Sequence, residues 1–364
     1  MKKKTFNIII CTLACTLVLS GFLLCLFLPK ETYSDSERRE LTPLPEISVS
    51  SLITGRFMDS FENYAVDAFP FRDTFRSIKA YFSYYLLRQK DNNKIYVHDG
   101  YIASMDYPYD KSSVNYAASR FGYIYDRYLK ESNVYLSIIP DKNVFLAKDA
   151  GVLYFDSEDL VKDMKNSMPY AEYIDIFPTL SIEDYYKTDS HWRQEKIEDT
   201  AEVLAGGMGV KLKGNRTAVN FSLPFYGVYY DQAALKLDAD TISYLTSPTI
   251  EKLKAFDGQN NKSIPVYDAE RIKGKDPYET FLSGPLSLVT VENPDAETER
   301  ELIIFRDSFS SAVAPLLAEG YKKVTLMDIR YMNVDYACSM VDFKNKDVLF
   351  LYSTAILNNS ETIK

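Results

Sequence analysis

The residues best suited to chemistry in this sequence lie in Tyr185-Tyr186-Lys187-Thr188-Asp189-Ser190-His191-Trp192, which holds one of the chain's two histidines and its one tryptophan. An acid two positions before a histidine can accept from the imidazole Nδ1–H, fix the tautomer and leave Nε2 free to take a proton. A base oriented in this way needs a nucleophile. The best candidate lies far downstream in Phe305-Arg306-Asp307-Ser308-Phe309, where the apolar run Leu302-Ile303-Ile304-Phe305 meets a serine and then a helix-like pattern (Val313, Leu316, Leu317). Ser308, His191 and Asp189 supply the nucleophile, base and orienting acid of one acyl-transfer site.

Each motif also has a plainer reading. Asp and Ser are favoured helix N-caps, and a helical pattern follows both segments. A buried histidine often does no more than satisfy a hydrogen bond. The two motifs gain force together, because between them they fill all three roles in a chain where histidine is scarce. The second histidine, His98, sits in Lys94-Ile95-Tyr96-Val97-His98-Asp99-Gly100-Tyr101, an alternating strand ending in an Asp-Gly turn, and reads as a surface turn residue.

The elements that must position these residues alternate between strand and helix. Val134 to Pro140 is a strand buried on both faces, with helices expected over Tyr116–Leu129 and Ser157–Met168. A short strand at Tyr173–Ile176 precedes the histidine motif, and another helix runs to Leu204. Lys211–Thr280 carries little pattern, although aromatics gather around Phe225-Tyr226-Gly227. The alternation resumes with Leu286–Val291, Leu302–Phe305, the helix after Ser308, Val324–Met327 and Val348–Tyr352. Such a pattern implies a mainly parallel α/β sheet covered by helices on both faces. It places Ser308 at the carboxyl end of a central strand, with the amino end of the next helix offering N–H groups to an oxyanion.

Ahead of this domain, Lys2-Lys3-Lys4 precede a charge-free, mainly apolar run over residues 6–28. At ~1.5 Å per residue the run is long enough to cross a ~30 Å hydrocarbon core. The lysines favour a cytoplasmic tail over residues 1–5 and an exported remainder: a signal anchor, a stalk over 29–55 with Pro43 and Pro45, and an extracytoplasmic domain over 56–364. A cleaved signal peptide is the alternative reading. Within the domain, Phe57 to Lys90 reads as a helical hairpin opened by Pro70, where Asp67 and Arg72 can pair. Cys11, Cys15 and Cys25 lie in the apolar run and only Cys338 lies outside it, so the exported part is held by its core. A net charge of −9 argues against nucleic acid as partner. Two histidines argue against a His-rich zinc or iron centre, and no Asp/Gly loop has calcium-ligand spacing, so neither metal nor cofactor is expected.

The octet from Tyr185 to Trp192 resembles the signature of the DHHW family of bacterial surface proteins, relatives of the SGNH-like proteins of alginate O-acetylation. The likeness extends to Asp67-x-Phe69-Pro70-x-Arg72, Pro140-Asp141-Lys142, Phe225-Tyr226-Gly227 and Arg306-Asp307-Ser308-Phe309, and so spans nearly everything after about residue 40. It implies an SGNH-hydrolase-like α/β fold in permuted order, with Asp-x-His ahead of the serine, and it matches Asp189, His191 and Ser308 to the triad. Ser190 departs from the family name, which has histidine there, and no Gly-Asn-Asp block is present. Gly284 is the candidate for a further oxyanion N–H. Arg330 and Tyr331 resemble family positions near the serine, with a structural ion pair the competing role for Arg330. Trp192 and Tyr226 are candidates for stacking on sugar rings.

What the resemblance implies is double displacement at an acetyl ester of a cell-surface polysaccharide, with a membrane-bound O-acyltransferase as possible acetyl source. The acyl group would pass from Ser308 to a sugar hydroxyl (a transferase) or to water (an esterase). A second class of function is a non-catalytic glycan-binding or assembly protein on the same scaffold.

Overall fold

A long apolar run satisfies its own backbone in a bilayer only as an unbroken helix, and Lys2–Phe27 forms one (α1). Its stretch Lys3–Cys25 has a mean hydropathy of 2.6, is wholly unburied, and is long and apolar enough to span a membrane or to serve as a signal sequence. The structure is a computed structural model describing residues 2–34 and 39–364; residues 1 and 35–38, parts of the expected tail and stalk, lie outside the described residues. The chain divides into two compact units, Met1–Arg88 and Gln89–Lys364.

The first unit contains α1 and the expected helical hairpin, Arg56–Asp67 (α2) and Arg72–Tyr81 (α3), separated at Pro70. The Asp67 carboxylate is buried at the hinge. Arg72 stands 3.7 Å from it as expected, but the closer partner is Arg39 from the expected stalk, at 2.6 and 2.9 Å. Thr42 adds its N–H and hydroxyl. The Arg39 hydrogen bonds hold the Asp67 pKa well below the usual carboxylate range against the opposing effect of burial.

The second unit is mixed α/β. It opens with the hairpin Ile95–His98 (β1) and Tyr101–Ser104 (β2), then Lys111–Tyr128 (α4), Asn133–Ile139 (β3), Ser157–Ser167 (α5), Glu172–Tyr173 (β4) and Glu198–Gly207 (α6). The region without sequence pattern folds into a second hairpin, Thr217–Phe225 (β5) with Asp240–Thr246 (β6), followed by Lys254–Asp257 (β7) and Lys262–Ile264 (β8). Then come Leu288–Glu292 (β9), Glu301–Arg306 (β10), Ser310–Leu317 (α7), Lys323–Met327 (β11) and Asp347–Ser353 (β12). Asp99 and Gly100 both take positive φ in the turn between β1 and β2, the conformation that favours Asp-Gly there.

One sheet of order β8-β7-β9-β11-β10-β12-β3-β4 organises this unit. The β11/β10, β10/β12, β12/β3 and β3/β4 pairings are parallel. The other edge departs from the sequence expectation: β9, expected to continue the parallel alternation, runs antiparallel to β11, as β7 does to β9 and β8 to β7. The connection from β9 to the parallel strand β10, residues 293–300, contains no helix, so nothing carries the chain back to a parallel start. The short strand expected at 173–176 is paired only at Glu172 and Tyr173.

Leu302 and Ile304 pack into one core with Leu204 of α6 and Val313 and Leu316 of α7. Ile303 and Phe305 point into the other, with Phe121 and Ile124 of α4. Alternate residues of one apolar run thus serve opposite faces, as a strand covered on both sides requires. Burying each such side chain stabilises the fold by about 1.5–3 kcal/mol. The strand end from which Ser308 emerges is therefore among the best-anchored backbone in the molecule.

Candidate active site

Asp189 and His191 stand in an irregular segment closed by an isolated bridge between Tyr185 and Trp192. Tertiary polar contacts hold it in place. The Asp240 carboxylate, opening β6, accepts from the N–H groups of Lys187 and Thr188 (both 2.8 Å) and from the Thr188 hydroxyl (2.6 Å). Thr188 Oγ1 accepts from Gly227 N–H at 3.0 Å, and the Thr188 carbonyl accepts from Tyr229 and Tyr230 N–H. At Gly227 an added Cβ would sit 2.2 Å from Asp189 Cβ and 2.4 Å from its Cα, so only glycine permits this approach.

The Asp189 carboxylate is 1% exposed. Oδ1 accepts from His191 Nδ1 (2.5 Å) and His191 N (3.0 Å), and Oδ2 from Val228 N–H (2.9 Å). Burial alone would raise its pKa, but the imidazole and these N–H donors outweigh that and hold it well below the usual carboxylate range. An ionised carboxylate only accepts, so Nδ1 of His191 carries a proton, and in the neutral ring Nε2 is then the bare nitrogen. That nitrogen lies 2.7 Å from Ser308 Oγ. The ring is clamped between Tyr278, stacked at 3.7 Å between centroids and 9° between planes, and Phe309 at 4.9 Å. Burial keeps the Tyr278 phenol neutral by pushing its pKa well above the usual range.

The serine side follows from regular structure. Strand β10 ends at Arg306 and α7 begins at Ser310, leaving a turn of Asp307, Ser308 and Phe309. Asp307 is buried and both closes that turn and ties it to a neighbouring strand: Oδ1 accepts from Phe309 N–H (3.1 Å) and Oδ2 from Ser353 N–H at the end of β12 (2.7 Å). Here the structure corrects an expectation. The first N–H groups of the helix are not free for an oxyanion, since Phe309 N–H goes to Asp307 Oδ1, Ser310 N–H to Asp307 O and Ser311 N–H to Ser308 O. Among the described residues the Ser308 N–H has no acceptor, which leaves it free as a donor beside Oγ.

Ser308 and His191 open into a cavity of about 140 Å³, whose wall includes Gly284, Arg306, Arg330 and Tyr331. Gly284 is at the cavity as expected, with φ +96°, but its N–H is turned toward Phe281 O at 3.4 Å. Arg330 is bidentate to Asp328 (2.9 and 2.7 Å), the ion pair that competed with a substrate role. Tyr331 is exposed at the rim beneath the Arg330 guanidinium, 5.3 Å from it. Trp192 is a correction: fully buried, it donates from Nε1 to Phe309 O at 3.0 Å and packs edge-on against Phe309, with no face open to a sugar. Tyr226 is exposed and packs against Tyr230 at 4.4 Å, away from the cavity wall. His98 is part-exposed at its turn, 3.6 Å from Asp99.

Sequence reasoning missed Tyr278 and Phe309 as the jaws around His191, Asp307 as the tie of the serine turn, and Arg306, which is buried with donors to Ser311 Oγ (2.8 Å) and Leu286 O (2.7 Å). An arginine and an aspartate immediately after the apolar run Leu302–Phe305 were the available signal for the last two. No local signal marks Tyr278.

No protein-family model and no curated protein matches the sequence. Solved structures do match. A DHHW family protein from Eubacterium siraeum superposes with a TM-score of 0.60 at 20% identity, over 75% of this chain and 95% of that one. This chain shares that protein's fold. Bacillus cereus PatB1, solved with a sulfonyl adduct, matches with a TM-score of 0.59 at 17% identity, over 76% of this chain and 98% of that one. A match to the O-acetyltransferase domain of Pseudomonas putida AlgJ, with a TM-score of 0.44, is too loose to bear on the fold.

Proposed function

We propose that this protein is a membrane-anchored, extracytoplasmic serine acyltransferase or esterase that handles acetyl esters of a cell-surface polysaccharide. The observation that carries the reading is the continuous line of hydrogen-bond contacts from Asp189 Oδ1 through His191 to Ser308 Oγ, at 2.5 and 2.7 Å. Distances of this kind are what a nucleophile, its base and the orienter of that base require.

In the first half-reaction His191 Nε2 takes the Ser308 proton as Oγ attacks the ester carbonyl. Asp189 stabilises the resulting imidazolium. The Ser308 N–H donates to the tetrahedral oxyanion. Collapse breaks the bond to the donor alkoxide, which leaves with the proton from Nε2, and the acetyl group stays on Ser308. In the second half a sugar hydroxyl or water gives its proton to Nε2 and attacks the acyl carbon, and Ser308 leaves with that proton. Sugar accepts where the site excludes water and binds the acceptor; otherwise water does.

The surrounding assignments follow the same reading. Residues 6–28 form the anchor, with Lys2-Lys3-Lys4 cytoplasmic by the positive-inside preference. Residues 29–55 are an exported stalk, and 56–364 the extracytoplasmic domain, SGNH-like in permuted order. A membrane-bound O-acyltransferase is the acetyl source. The sulfonyl adduct of PatB1 supports trying the same reagent class. A sulfonyl fluoride should label Ser308 in the wild-type chain and leave Ser308→Ala unlabelled. Equal labelling of both would contradict the assignment.

A further inference from the structure

Lys142 has no part in the steps above, yet it is fully buried directly behind them. It follows β3, which lies between β12 and β4 in the sheet, by way of Pro140 and Asp141. Its ammonium donates to three carbonyls of the segment that carries the base: Tyr186 O (3.0 Å), Lys187 O (3.2 Å) and Asp189 O (2.6 Å). An ammonium has three protons, and each has an acceptor. Thr188 O, the remaining carbonyl of that stretch, is taken by Tyr229 and Tyr230 N–H. A buried cation is costly to desolvate, and an apolar side chain of similar volume would avoid that cost. All three of the Lys142 hydrogen-bond acceptors are backbone carbonyls of the segment that carries the base.

We propose that Lys142 is a positioning residue of the acyl-transfer site, clamping the backbone from Tyr186 to Asp189 onto the end of β3 so that Asp189 and His191 stay aligned with Ser308. The proposal rests on the Ser308 chemistry above. The clamp acts on the loop carbonyls and not on the substrate, since Lys142 does not line the cavity that holds Ser308.

The ammonium must keep all three protons to hold all three carbonyls. Burial lowers its pKa from the ordinary lysine value, while Asp189, Asp141 and Asp240 act in the opposite sense. The Tyr229 ring lies 5.1 Å from Nζ. Asp141 is itself pushed up by burial, offset by the Asn143 N–H and by Lys142. The net result is a lysine that loses its third donor at a pH below that of a free lysine.

The test uses the full chain and the rate of sulfonyl fluoride labelling at Ser308, corrected for reagent hydrolysis, with circular dichroism confirming the fold at each pH. Lys142→Met should label about 10²-fold more slowly, the scale expected when reacting groups are displaced by about 1 Å. Wild-type labelling should fall along an alkaline limb centred below the ordinary lysine value of about 10.4, and folded Lys142→Met should lack that limb. Lys142→Arg, which keeps a cation, should recover part of the rate. A folded Lys142→Met labelled within about twofold of wild type across the pH range would overturn the proposal. If Lys142→Met does not fold, the wild-type limb decides, and a flat rate in folded protein up to the ordinary lysine value overturns it equally. A wild-type chain that is never labelled contradicts the Ser308 reading itself, and the clamp then has nothing to position.

Discussion

The two arms of the site are built by different means. The serine arm is the continuation of a central strand: β10 is buried on both faces, α7 follows after a short turn, and Asp307 ties that turn to β12. The base arm has no regular structure. Its Asp189 and His191 are placed by a lysine just after β3, a carboxylate from β6, a glycine at 227 and an N–H from Val228. Apolar burial sets the first arm, and a polar network sets the second. Mutations should therefore act differently on the two. Losses in the core around β10 should lower stability and leave the chemistry of the surviving fold intact. Losses in the network should spare much of the stability and cost rate.

The sharpest break comes where the arms meet. Ser308→Ala and His191→Ala should each lower hydrolysis of a small chromogenic acetyl ester by ~10³-fold or more, measured as kcat/KM on folded protein. Retention of wild-type turnover in both would assign the chemistry to another group.

Within the base arm, Gly227→Val is the most damaging change remote from the reacting atoms. Its Cβ would overlap Asp189, so the segment must shift, and kcat/KM should fall by about 10²-fold. A crystal structure of the variant should show the His191 Nε2 to Ser308 Oγ contact lengthened. Unchanged kcat/KM would mean that the network tolerates displacement.

The pH profile separates the acid from the base. His191 must be neutral to accept a proton, so kcat/KM should rise with pH through one ionisation and then level off before any alkaline limb. Asp189 adds no second step there. Its folded pKa is depressed, so its stabilisation is complete above the unfolded value of about 3.9 and is lost only as pH falls through the still lower folded value. An ionisation between about pH 4 and 6 that persists in Asp141→Asn, whose carboxyl burial otherwise pushes up, would contradict that assignment. His98→Gln should leave the profile in place, because His98 is at a surface turn.

The smallest effect on rate belongs to the serine arm. Ile304→Ala should destabilise the fold by about 2–5 kcal/mol, read by denaturant unfolding, while kcat/KM well below the melting range stays close to wild type. A large rate loss with little loss of stability would erase the contrast between the arms.

The same contrast explains what could be read in the sequence. Strands β3, β10, β11 and β12 are apolar runs, and periodicity exposes them directly. Ser308 was legible because it ends one of those runs, and Asp189 and His191 because scarcity and spacing singled them out. The antiparallel edge at β9 was not, since strand direction depends on connections that leave no mark in the strand. Trp192 looked like a sugar platform because an aromatic beside a catalytic motif is equally suited to packing or stacking, and its partner, the Phe309 carbonyl, is remote in sequence. The expected oxyanion donors failed for a similar reason: Asp307 reads as a cap, and a cap consumes the N–H groups it satisfies. Lys142, Asp240 and Tyr278 reach the site by long-range contacts that no local pattern encodes.

The central claim is an acyl-enzyme at Ser308, and the most direct measurement is to trap it. The full chain is exposed to an acetyl ester, quenched in acid and digested, and the peptides are read by mass spectrometry. The account predicts one acetyl group on the peptide carrying Ser308, absent from His191→Ala and discharged when a hydroxyl acceptor is added before the quench. Acetyl found only on other residues, or ester turnover by Ser308→Ala at the wild-type rate, would contradict it.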